Sequence, residues 1–79
     1  MPKISIGSNV QYNYYVEEYN KHEVMPAIVE YIHENELVVD LIAWINGRWE
    51  FVDHVIHFEI KDDKNFYVKH SGSFWIEIK

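Results

Sequence analysis

The sequence predicts an all-β protein, a single domain over residues 1–79 built as one small barrel of about five to six antiparallel strands. Three observations carry this. First, β-branched and aromatic residues dominate, with six Tyr, four Phe and three Trp against only three Gly and two Pro; such side chains fit a pleated, half-buried surface. Second, polar clusters interrupt the apolar runs at the roughly 8–12-residue spacing of a small β meander. Third, Asn46-Gly47 stands between two apolar runs. That pair is the strongest short-range hairpin signal, because both central residues of a type I′ turn need positive φ.

Taken in order, residues 1–7 read as a lead-in and Gly7-Ser8-Asn9 as a break before a first strand, Val10 to Val16. In that strand Tyr12 and Tyr14 point to one side and Tyr15 to the other, with Tyr12 expected in the core. Tyr14 and Tyr15, together with Tyr19, are candidate surface contacts. Glu17 to Glu23 is polar and reads as a loop. Val24 to His33 is the second strand, and Pro26 near its start fits an edge or a bulge. Glu34 to Glu36 is a tight turn. Leu37 to Ile45 is the third strand. Arg48 to Ile60 is the fourth, long and bent near Asp53-His54. Lys61 to Asn65 turns the chain, and Phe66 to Lys69 and Phe74 to Ile78 are short strands on either side of His70-Ser71-Gly72-Ser73. Ile28, Tyr31 and Ile32 have helical spacing, so a helix through Val24 to Ile45 is the rival; β-branched density and the following Asn-Gly favour strands.

A two-residue turn at 46–47 determines the pairing outward from it. Ile45 faces Arg48, Trp44 faces Trp49, Ala43 faces Glu50, Ile42 faces Phe51, Leu41 faces Val52 and Asp40 faces Asp53. Alternation then puts Trp44, Trp49, Ile42 and Phe51 on one side and Val39, Leu41, Ala43, Ile45 and Val52 on the other. The Trp-x-Asn-Gly-x-Trp spacing resembles that of designed tryptophan-zipper hairpins, and the facing indoles can staple the turn by themselves. Both sides are nevertheless apolar, whereas a sheet with one solvated face reads apolar on one side only. One side is covered by the barrel. The other is expected to be covered by a second copy of the chain or another protein, since Trp and Tyr are the usual interface anchors. Directly opposed Asp40 and Asp53 are expected to splay apart at a bend in the strand.

Seven basic residues against thirteen acidic ones leave a formal charge of -6, which disfavours binding to a phosphate backbone. No cysteine is present, so neither disulfides nor thiolate chemistry are available. The N-terminal stretch lacks the basic and apolar regions of a signal peptide. No apolar run approaches the roughly 18 residues of a membrane span. The five histidines have no metal-ligand spacing: His54 and His57 fall on opposite faces of a strand, and all five read as scattered surface residues. No ordered nucleophile and no phosphate-cradling loop are visible. The expectation is a non-enzyme without cofactor or metal.

Several stretches resemble small phage and prophage proteins whose pattern is Val-x-Tyr, Pro-Ala-Ile-Val, Val-x-Leu-x-Val-Phe and a final Gly-Thr-Trp-His-Trp. Val10 and Tyr12 match the first piece, and Pro26, Ala27, Ile28 and Val29 match the second without change. Val39, Leu41, Ala43 and Trp44 follow the third. Gly72, Ser73 and Phe74 follow the last, with Trp75 standing where that pattern has His. The resemblance implies an SH3-like barrel and a bacterial host cytoplasm or virion as location. The expected function is that of a phage-type accessory or structural protein acting by self-association and protein–protein binding. Its contact face comprises Ile42, Trp44, Trp49 and Phe51, with Tyr14 and Tyr15 second. The alternative is an acidic anti-defence protein that occupies a host nucleic-acid-binding factor.

Overall fold

A computed structural model describes residues 4–34, 36–63, 70 and 72–78. It is all-β. The strands are β1 (Asn9–Val16), β2 (Lys21–Ile32), β3 (Val38–Ile45), β4 (Arg48–Ile56) and β5 (Phe74–Glu77), with single 3₁₀ turns at Glu17–Tyr19 and Phe58–Ile60. They form one antiparallel sheet in the order β4-β3-β2-β1-β5. The first four strands make a meander, and β5 returns to the open side of β1 after a 3₁₀ turn, which is SH3-like barrel connectivity. The expected strand at Phe66 to Lys69 and the end of the Lys61 to Asn65 turn lie outside the described residues.

The sheet closes on itself because β2 serves two ladders. Its first half, from Lys21 to Ile28, pairs with β1, and its second half, from Ala27 to Ile32, pairs with β3. Pro26 faces Gln11 of β1 and lies just beyond the last β2–β3 pair. The strand is central to the sheet, yet on its β3 side the missing N–H is not called on at that point. Two irregularities then bend the sheet at one level. The β2–β3 register slips between Val29 and Tyr31, and the β3–β4 register slips between Val39 and Leu41. Asp40 therefore faces the two residues Asp53 and His54, the expected bend realised as a β-bulge, and His54 takes a left-handed φ of 53°. A bulge adds local twist, and here the twist carries the end of β4 around to β5.

Alternation puts the core where the sequence pattern places it. Val39, Leu41, Ala43 and Val52 point inward with Val10, Tyr12, Ala27, Val29 and Trp75 in one buried cluster. Asn46 and Gly47 both have positive φ, 52° and 81°, and all five hairpin pairs from Ile45–Arg48 to Leu41–Val52 are found. The run from Val24 to Ile45 forms strands, not a helix. β2 begins at Lys21, earlier than the polar composition of Glu17 to Glu23 implies. A left-handed Asn20 at φ 48° reverses the chain there, and its side-chain oxygen accepts the Tyr15 hydroxyl at 2.6 Å.

His57 overturns the expectation of scattered surface histidines. It is 1% exposed and locks the end of the barrel. Its Nδ1 accepts the Glu59 N–H at 3.0 Å, so the proton sits on Nε2, which donates to Glu77 of β5 at 2.9 Å. Its ring meets Trp75 edge-on at 4.5 Å, and its backbone N–H donates to the Leu37 carbonyl at 2.8 Å. The same carbonyl accepts the Trp75 indole N–H at 3.1 Å. β4 ends just before His57 because the side chain's acceptance of Glu59 N–H starts the 3₁₀ turn.

Candidate functional site

The outward face of β2–β3–β4 carries two adjoining groups of side chains. The first is an apolar platform. Ile28, Ile42 and Phe51 stand abreast across the three strands, and Trp44 faces Trp49 next to the turn. The indoles meet edge to face, with centroids 5.2 Å apart and planes at 72°, an arrangement worth about 0.5–1.5 kcal/mol beyond area burial. The contact does not hide them: Trp44 remains 43% exposed, Trp49 50% and Phe51 61%. None of the platform residues carries a charge. Arg48 and Glu50 pair with each other at 2.7 Å at the margin.

Of the two tyrosines predicted as secondary contacts, Tyr14 borders the platform at Phe51, and Tyr15 packs against the chain itself. Tyr14 is exposed and lines a cleft of about 320 Å³ together with Tyr12, Ile45, Glu50 and Phe51, at the open end of the barrel beside the platform. Tyr15 is engaged within the molecule. Its ring lies over Gly72, where an added Cβ would sit 2.9 Å from the ring, and packs 5.3 Å from His22. Its N–H donates to Ser73 Oγ at 3.0 Å. Tyr12 is buried beneath the cleft. Burial raises its hydroxyl above the usual tyrosine value of 10.0, opposed by a hydrogen bond with Ser73 and helped by the neighbouring Tyr14.

The second group begins at the next outward position of β3. Asp40 Oδ1 accepts from His33 Nε2 at 2.7 Å and from the His54 backbone N–H at 2.9 Å. The His33 and His54 rings stack with centroids 4.2 Å apart, and Tyr31 meets His33 edge-on at 5.0 Å. Asp53 Oδ2 lies 3.2 Å from His54 Nδ1, and Asp53 Oδ1 lies 3.9 Å from His70 Nε2. His33, Asp40 and His54 are all half-buried. Two of the histidines read from sequence as scattered are thus brought together. Strand alternation alone sends His54 inward; the bulge returns its ring to the outer face. The nearest signal in the sequence is the Asp40–Asp53 opposition, which marks the bend and not the histidines gathered there.

Comparison of the chain with protein-family models, curated proteins and solved structures finds no match. Among the described residues no helix is long and apolar enough to cross a membrane.

Proposed function

We propose that this chain is a protein-binding module without chemistry of its own, and that a second copy of itself covers the Trp44–Trp49–Phe51 platform. The observation that carries this is the half-exposure of three large aromatic side chains side by side on one sheet face. At about 150–250 Å² per aromatic side chain, half of the three amounts to roughly 225–375 Å². Ile28, Ile42, Tyr31 and Val24, on the same outward side of the strands, extend it. With these the patch reaches the roughly 300–600 Å² of the largest apolar patch on a typical monomer, a size at which such patches are often functional.

A second copy fits this face better than a different partner for two reasons. The platform is uniformly apolar and uncharged, so it is complementary to itself. A two-fold contact of the same patch on both subunits is also the commonest form of association. The overall charge of -6 is carried by residues outside the platform, and salt screens the repulsion it causes between exposed charges on two copies. The resemblance to small phage and prophage proteins supports a role as a phage-type accessory or structural component, in which self-association builds the working unit.

Light scattering and sedimentation of the purified chain test the proposal. The wild type is expected to run as a dimer or larger species. Trp44→Ala and Trp49→Ala are expected to weaken association by about 2 kcal/mol or more, roughly thirty-fold, while β-type circular dichroism persists. A wild type that stays monomeric at its highest soluble concentration, or a Trp44→Ala protein that associates as before, overturns it.

A further inference from the structure

The geometry points to a second site beside the platform: we infer that His33, Asp40 and His54 bind a divalent transition-metal ion of the zinc class. The residues come from the end of β2, from β3 and from the β4 bulge, and each offers a ligand atom within 4.8 Å of the other two. Two imidazoles and one carboxylate are a donor set suited to such ions. A tetrahedral ion with bonds of about 2.0–2.2 Å needs ligand atoms about 3.3–3.5 Å apart. His33 Nε2 and Asp40 Oδ1, now 2.7 Å apart across a proton, open slightly when the ion replaces that proton, and rotation of the partly exposed His54 ring closes the remaining distance.

Three features favour a ligand over a simple hydrogen-bonded cluster. The His54 backbone is held at φ 53°, a conformation that a β-carbon-bearing residue adopts at a cost and that collects at binding sites. That conformation aims the ring at His33 and its N–H at Asp40. Next, the two imidazoles stack at 4.2 Å and both residues hydrogen-bond Asp40 Oδ1, so the candidate ligands already converge on one carboxylate. Lastly, Asp53 Oδ2 stands 3.2 Å from His54 Nδ1. A proton donated there leaves Nε2 as the lone-pair nitrogen, the carboxylate–histidine arrangement that orients metal ligands. Three protein ligands leave the fourth position of a tetrahedral ion open to water or to a group from outside.

Calorimetric titration of the full chain with zinc chloride tests the site, backed by the ring-proton NMR signals of the five histidines. One ion per chain is expected. It should perturb the signals of His33 and His54 and leave His22 and His57 in place. The variants His33→Gln, His54→Gln and Asp40→Asn should each weaken binding at least tenfold, Asp53→Asn by about ten- to hundredfold, and His22→Gln not at all. Bound zinc should also raise the melting temperature of the wild type and not that of His54→Gln. The inference is overturned if zinc does not bind, if His54→Gln binds as the wild type does, or if the perturbed signals belong to other histidines. The NMR readout needs no variant to fold.

Discussion

Replacing Trp75 by alanine and by phenylalanine separates two contributions of one side chain to barrel closure. The indole is fully buried, packs edge-on against His57 and donates to the Leu37 carbonyl at 3.1 Å. Trp75→Ala removes the largest buried side chain from the core, and such truncations cost about 3–5 kcal/mol. At about 0.05–0.15 kcal/mol per residue a chain of this length has roughly 4–12 kcal/mol in total, so the variant is expected to be marginal or unfolded. Trp75→Phe keeps most of the packing. It removes the indole donor without orphaning the acceptor, because the Leu37 carbonyl keeps the His57 N–H at 2.8 Å. The expected cost is about 1–2 kcal/mol, one net hydrogen bond plus a small void. Urea unfolding at one fixed protein concentration reads both values, and the phenylalanine variant should melt roughly 4–16 °C below the wild type. If phenylalanine proves as damaging as alanine, the indole donor is indispensable and the account of a doubly served carbonyl is wrong. If alanine costs less than about 1 kcal/mol, Trp75 does not hold β5 to the end of β4.

Two glycines with positive φ should respond unequally to alanine. Gly47→Ala meets no atom within 4 Å and should cost only the left-handed strain, about 1–2 kcal/mol. Gly72→Ala adds a contact 2.9 Å from the Tyr15 ring and should cost measurably more in the same unfolding assay. Stability should also fall in alkali. The raised Tyr12 hydroxyl keeps its proton in the folded state while the unfolded chain releases it near pH 10.0. Its contribution is therefore full below that pH and is lost as pH rises above it, at up to about 1.36 kcal/mol per pH unit. Urea midpoints from about pH 9 to 11 should decline less steeply in Tyr12→Phe. His57→Ala should destabilise by about 2–4 kcal/mol, since it leaves a void and strips partners from the Glu59 N–H and Glu77; a change within about 0.5 kcal/mol would show that the buried histidine does not brace the barrel.

The hairpin around Asn46-Gly47 shows how much was legible in the sequence. A turn that demands positive φ at two residues sets the register, and a period of two then assigns every side chain from Asp40 to Asp53 to a face; the Trp44–Trp49–Phe51 platform follows from those two local rules. Asn20 shows where local reading falls short, since a polar stretch hides a tight left-handed turn that composition does not announce. Tyr15 packs over the molecule's own Gly72 and donates its N–H to Ser73, contacts that no local rule announces, the second made across 58 residues of sequence. The histidines mark the boundary most clearly. Whether His54 points inward or outward depends on one extra residue opposite Asp40, and whether His57 is buried depends on where β5 lands. Local chemistry thus determined strands, turn and faces, because backbone geometry acts between near neighbours. Only the closed sheet decided which ionisable groups meet, because those meetings depend on bulges and strand returns whose energies are shared among residues far apart in the chain.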